Sequence, residues 1–135
     1  MQVKIRQALS TDAVGLKKLN DLFSGEDSNT AEAIAASLEN NRREIVCVAE
    51  GNGTLLGFCC GQIQTSMCYG YEYAVITEFF VMEAFRRKGI GKHLLMALEQ
   101  SFNQRGINHF HLSTEGDNTA ALSLYRAWVL SASAL

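Results

Sequence analysis

The sequence predicts a mixed α/β fold, a mostly antiparallel central sheet flanked by helices. Three observations predict it. Strand-like and helix-like runs follow one another in the order β-α-α-β-β-β-α-β-α. The second to fourth strands are separated only by loop and turn residues, which predicts an antiparallel meander. The fourth and fifth strands are joined through an amphipathic helix, which predicts one right-handed crossover.

Each element has its own signal. "VKIRQAL" reads as a first strand. Ser10 is placed to cap a helix from Thr11 to about Phe23, with Val14, Leu16, Leu19 and Leu22 as its apolar residues. "SGEDSN" is loop, and a second helix runs from about Thr30 to Asn40. "EIVCVAE" and "TLLGFCCGQIQ" are strands, and the "GNG" of Gly51 to Gly53 between them predicts a hairpin. "YEYAVITEFFV" is the next strand. "IGKHLLMALEQSFNQR" is a helix whose apolar face is Ile90, Leu94, Leu95, Leu98 and Phe102, ended by Gly106. "INHFHLST" is the last predicted strand, and Asn118 caps a helix from Thr119 to about Trp128.

Composition bounds the function. A chain of 135 residues suits a single domain, 1–135, with one core. Hydrophobic residues at 47% and charged residues at 19% describe an ordinary globular protein. A net charge of −2 gives no global field for nucleic acid or an anionic membrane, so neither is an expected partner. "MQVKIRQAL" lacks a signal-peptide core, no run is long enough to span a bilayer, and the expected location is cytoplasmic. Cys47, Cys59, Cys60 and Cys68 show no Cys-x-x-Cys spacing, and His109 and His111 have no third ligand at a recognisable spacing. No metal site is expected.

The densest basic stretch is "FRRKGIGKHLL", Phe85 to Leu95. It places Arg86, Arg87, Lys88 and Lys92 around Gly89-Ile90-Gly91, where a helix begins. A helix N-terminus presents unpaired N–H groups and about half a positive charge. Glycines let a ligand approach those donors. The pattern therefore predicts an anion site suited to phosphate. A Walker loop needs Gly where Arg86 stands and Ser or Thr where His93 stands; a dinucleotide fingerprint needs Gly where Leu94 stands. Both fail. A third pattern, Arg/Gln-x-x-Gly-x-Gly/Ala after a strand ending in Val, fits Val81 and Arg86 to Gly91.

With that motif the chain resembles the GNAT superfamily of acyl-CoA-dependent N-acyltransferases. "NTAALSLYRA" resembles the family's second motif through Asn118, Ala121, Leu124 and Tyr125, with one helix and one strand between the two motifs. The resemblance covers residues 1 to about 128. It implies that acetyl-CoA is the cosubstrate and lies where the fourth and fifth strands splay. Its pyrophosphate would sit on Arg87, Lys88, Gly89, Ile90, Gly91 and Lys92, with Arg86 alongside. Its pantetheine would pair with the backbone of Phe79, Phe80 and Val81, one of whose N–H groups would stabilise the oxyanion. Asn118 and Ala121 would lie near the cofactor, and Tyr125 would protonate the departing thiolate.

The reaction consumes a neutral amine, and only roughly one alkylamine in a thousand is neutral at pH 7. A base recovers that deficit. Strand alternation puts Ala74, Ile76, Glu78, Phe80 and Met82 on one face, with Glu78 its sole charge. An apolar face disfavours a charged carboxylate, as a base working near neutrality requires. Glu78 is therefore the candidate base, with a rim ion pair and a strand bulge as the competing readings. Glu26, Asp27, Glu72 and Glu78 lie in or beside the loops that flank the family's acceptor cleft, which hints at a cationic small amine.

The chain departs from the family at "YRAWVLSASAL", which lacks a Gly-Phe and stops at Leu135, so the closing C-terminal strands are expected to be missing. The fifth strand would then have an open edge. A homodimer covering that edge is one expectation; a trimmed domain and an altered end are the others. The leading function is transfer of acetyl from acetyl-CoA to a primary amine of a small molecule, in a ternary complex. Transfer to a protein N-terminus or lysine, a non-catalytic acyl-CoA-binding module and a nucleotide-binding module are the alternatives.

Overall fold

A computed structural model of the chain describes residues 1–26 and 28–112. Five strands form one sheet: β1 (Val3–Gln7), β2 (Glu44–Gly51), β3 (Thr54–Gln64), β4 (Tyr73–Val81) and β5 (Phe110–Leu112). Three helices accompany them: α1 (Ala13–Ser24), α2 (Ala31–Asn40) and α3 (Ile90–Asn103). The strand order is β1-β2-β3-β4-β5, antiparallel except for the parallel pair β4–β5 that α3 connects. The predicted mixed, mostly antiparallel architecture is what the chain adopts. The predicted last helix and the end of the chain lie outside the described residues.

The local chemistry explains the boundaries. Asn52 and Gly53 both take positive φ, 53° and 75°, so the hairpin between β2 and β3 turns on these two residues in the type I′ manner. Thr30 caps α2 by accepting from the Ala33 N–H at 3.1 Å. Ser10 is not the cap of α1. It lies in a 3-10 turn, Ser10–Asp12, and Asp12 instead accepts the Leu9 N–H at 2.8 Å while Arg6 holds its carboxylate at 2.7 and 2.9 Å. At helical spacing Ala13, Leu16 and Leu19 share the buried face of α1, while Val14 and Leu22 fall off that face and are each 63% exposed.

The sheet separates two apolar layers. On one face α3 buries Ile90, Leu94, Leu95, Leu98 and Phe102 against Ile45, Cys47, Cys59, Ala74 and Ile76. This is the predicted apolar face of that helix. On the other face α1 and α2 cover Val48, Leu55, Phe58 and Cys60, with Phe80 and Met82 at the margin.

β4 does not alternate as its sequence suggests. Its register against β3 shifts, with Gly61 opposite Ile76 and Cys60 opposite Glu78, so Thr77 is an inserted residue. Ala74 and Ile76 pack towards α3, while Phe80 and Met82 pack towards α1 and α2. Glu78 goes with the latter pair. The shared face expected for Ala74, Ile76, Glu78, Phe80 and Met82 is therefore broken after Ile76. The bulge moves Glu78 from the α3 core to the side covered by α1 and α2.

Candidate active site

Two chemically opposite features lie along β4. The first is the loop from Val81 to the start of α3. A 3-10 turn, Glu83–Phe85, leads from the strand into the basic segment. Arg87 and Gly89 then take left-handed conformations, φ 65° and 82°. The second is what Gly is for; the first is uncommon for a side-chain-bearing residue and costs of the order of 1 kcal/mol. A built Cβ on Gly89 would meet only His93, at 3.8 Å, so the approach to this turn is open. Gly89 is the N-cap residue of α3 and offers no side-chain cap, so the first-turn N–H groups of this 14-residue helix have no intrahelical acceptor.

The loop cations differ in role. Arg86 turns back: its Nε–H donates to the Val81 carbonyl at 2.7 Å, and its guanidinium lies 5.6 Å from the centre of the Phe80 ring. It ties the loop to the end of β4. The Lys88 ammonium lies 5.7 Å from the Phe85 ring centre. Arg87, Lys88, Gly89 and Lys92 are exposed, and Gly91 is half-buried. Among the described residues no carboxylate pairs with Arg86, Arg87, Lys88 or Lys92. Ile90 buries its side chain in the α3 core, so only its backbone can serve a ligand. His93 lies with Nδ1 2.7 Å from the Gly89 carbonyl, which fastens the turn. Open amides, glycine at the approach and cations without a carboxylate partner among the described residues suit a phosphate-bearing ligand.

The second feature is a cleft of about 180 Å³ between α1, α2 and the sheet. Glu44 from β2 and Glu78 from β4 both line it. The side-chain amides of Asn20 and Asn29 and the hydroxyl of Ser37 supply polar wall. Glu78 Oε2 is buried and, among the described residues, has no hydrogen-bond donor. Glu44 Oε2 accepts from Gln62 Nε2 at 3.3 Å. Burial pushes the Glu44 carboxyl above the ordinary carboxylate range, the Gln62 hydrogen bond opposes this, and the charge of Glu78 adds to it. Burial, and then the charges of Glu44 and Glu78, hold the Cys60 thiol well above its usual range. Burial, and then the charges of Cys47 and Glu78, hold the Cys59 thiol well above its usual range, and burial pushes Cys47 up to about 11. These three thiols are therefore poor nucleophiles near neutral pH.

A model of the acetyltransferase (GNAT) family matches residues 14–128. The chain belongs to the GNAT family. It is 30% identical over 128 residues to the uncharacterised N-acetyltransferase YhfO of Bacillus subtilis strain 168, covering 91% of this chain and 86% of that one. In fold, this GNAT chain is similar to AAC(6')-Iy solved with the bisubstrate analogue CoA-S-monomethyl-acetylneamine, with a TM-score of 0.80, 21% identity and coverage of 94% and 89%. It is also similar to a ribosomal-protein-alanine N-acetyltransferase of Brucella melitensis biovar Abortus 2308, with a TM-score of 0.78, 20% identity and coverage of 93% and 90%. The chain is accordingly an acetyl-CoA-dependent acyltransferase.

The predicted site residues divide into groups. Arg86 to Gly89 form a loop that runs into the first turn of α3, Ile90 to Lys92, and Phe79, Phe80 and Val81 lead into it. The strand residues point to opposite sides: Phe80 packs with Phe23 and Phe58 at centroid distances of 5.8 and 6.1 Å, while Phe79 and Val81 pack towards α3. Glu78 lies in the cleft. Asn118, Ala121 and Tyr125 lie outside the described residues, as does Asp27. Glu26 is exposed, and Glu72 is spent on Arg43 at 3.5 Å. His109 stacks on Tyr71 at a centroid distance of 3.7 Å, and His111 packs at a tilt against Tyr73 at 4.6 Å. Glu44 was missed. Its signal was the alternation of Glu44 with Val46 and Val48, which places a carboxylate on the strand face that Glu78 shares.

Proposed function

We propose that this GNAT chain moves an acetyl group from acetyl-CoA to a primary amine of a small molecule, by direct attack with Glu78 as general base. The observation that carries this reading is the buried, donor-free Oε2 of Glu78 in a cleft on the sheet. A buried carboxylate oxygen without a donor is costly, and an amine N–H offers it a partner.

The chain's own groups supply the steps. The first-turn amides of α3 with Arg87, Lys88 and Lys92 hold the diphosphate. Arg86 positions that loop rather than reaching the ligand alone. By family similarity, the backbone of Phe79 to Val81 aligns the pantetheine and an N–H there meets the thioester oxygen. The amine nitrogen attacks the carbonyl carbon, and its proton passes to Glu78. The C–S bond then breaks, and Tyr125 delivers a proton to the thiolate sulfur. The raised cysteine thiols support direct transfer over an acyl-cysteine intermediate.

An acceptor panel with acetyl-CoA and thiol detection tests the reading. Aminoglycosides and short alkylamines should release CoA faster than peptides with a free N-terminus or lysine. Glu78→Gln should lower kcat about 10²- to 10⁴-fold, most severely at low pH, where the amine needs the base most. A pH–rate profile unaltered by the substitution removes Glu78 from the mechanism. Binding of CoA without turnover of any amine would favour a non-catalytic module.

A further inference from the structure

We infer that the acceptor is a diamine or polyamine: its reacting nitrogen lies at Glu78, and a second ammonium is held by Glu44, which sets specificity for it. This rests on the amine-acceptor reading above and adds a residue and a substrate class to it.

Charge complementarity is the first argument. Among the described residues, the ionisable side chains lining the cleft are Glu44, Cys60 and Glu78, and no lysine or arginine joins them. Arg43, next in sequence to Glu44, turns away to the Ile63 carbonyl at 3.0 Å and to Glu72 at 3.5 Å. Among the described residues, two carboxylates therefore share a partly buried space with no counter-ion. Such an arrangement is unfavourable alone and is relieved by a cation between or beside them. A monoamine brings this pair one nitrogen; a diamine brings each carboxylate its own.

Geometry is the second argument. Gln62 Nε2 donates to Glu44 Oε2 at 3.3 Å, which fixes that carboxylate in the cleft and leaves its other oxygen to accept. Glu78 Oε2 is buried without a donor, so the acidic pair includes an acceptor atom awaiting a hydrogen bond. Between the polar groups the wall is apolar, from Leu16, Ile34, Leu38, Val46 and Phe58, and suits methylenes. A volume of about 180 Å³ leaves room for a short aliphatic diamine.

Steady-state kinetics at saturating acetyl-CoA test this with 1,4-diaminobutane against n-pentylamine, an acceptor of equal length with one nitrogen. The wild type should show a kcat/KM about tenfold or more higher for the diamine. Glu44→Gln, which keeps size and a polar group beside Gln62, should abolish that ratio, and Glu44→Asp should restore part of it. Equal loss on both amines, or a ratio that survives Glu44→Gln, overturns the inference. Calorimetric titration of 1,4-diaminobutane into the CoA-bound protein gives a readout independent of turnover, and binding should be lost in Glu44→Gln. Acetylation of amines without diamine preference would sink the role of Glu44 and leave the acetyl-transfer reading standing. Glu44-dependent diamine binding without turnover would do the reverse, and absence of both would overturn both.

Discussion

Glu44 shows how one side chain links stability to function. Its carboxyl is raised chiefly by burial and further by Glu78, so the folded chain keeps that proton to higher pH than the unfolded chain does. Between the unfolded carboxylate range, about pH 4.3, and the raised native value, the folded state binds more protons. Stability attributable to this group is thus present at low pH and declines as pH rises through that window. Glu44→Gln removes the decline. Thermal melts should show the variant more stable than wild type at pH 7, with the gain shrinking towards zero as pH falls below about 4. A pH-independent difference would mean that packing, not ionisation, governs the site. Glu78 was legible in the sequence as a lone charge among apolar residues, but its side of the sheet was not. Alternation assigns a face only while each residue opposes one partner, and Thr77 breaks that count without any glycine or proline to announce it.

At the scale of elements, the close approach of α3 to β3 depends on Gly61. A Cβ there would lie 2.6 Å from Phe102 Cε2 and 3.2 Å from Leu98 Cδ2, and both side chains are buried with nowhere to move. Gly61→Ala should therefore cost about 1–3 kcal/mol in denaturant unfolding. The substitution faces α3, away from the cleft, so the residual folded enzyme should keep its KM for the acceptor. The loop at the start of α3 makes the converse demand. Gly89 has φ 82° in open space, so Gly89→Ala meets backbone strain rather than a clash, roughly 1–2 kcal/mol. The same change re-aims the first-turn amides, and KM for acetyl-CoA should rise about tenfold alongside the fall in melting temperature. A fall in stability with no change in that KM would separate the loop from the cofactor. The helix and the glycine turn that opens it were legible because Gly-x-Gly after a strand has few structural uses. The left-handed Arg87 was not, since arginine carries no signal for that conformation.

At the scale of the whole molecule, β4 organises the charge. It carries Glu78 towards an acidic cleft and ends at a loop of unpaired cations, within a chain of net charge −2. The order of elements could be read through β5 because the periods of two and 3.6 hold along most of the chain. Half of the α1 stripe could not, since at helical spacing Val14 and Leu22 fall off the face that carries Ala13, Leu16 and Leu19. The split of charge has a kinetic consequence. Coenzyme A is polyanionic, and the overall field of the protein does not attract it, so on the proposed reading capture depends on the local loop. Exposed charges interact across a Debye length that shrinks from about 10 Å at 0.1 M salt to about 3 Å at 1 M. Calorimetric Kd for acetyl-CoA should therefore rise several-fold between 0.05 and 0.5 M KCl. The double substitution Arg87→Ala with Lys88→Ala should weaken binding at low salt and flatten that dependence, because the charges being screened are then gone. Arg86→Ala should behave differently: it removes the tie to the Val81 carbonyl and the Phe80 ring, so it should lower the melting temperature as well as affinity. An unaltered salt slope in the double variant would place the phosphate-binding charge elsewhere and detach this loop from the chemistry of the cleft.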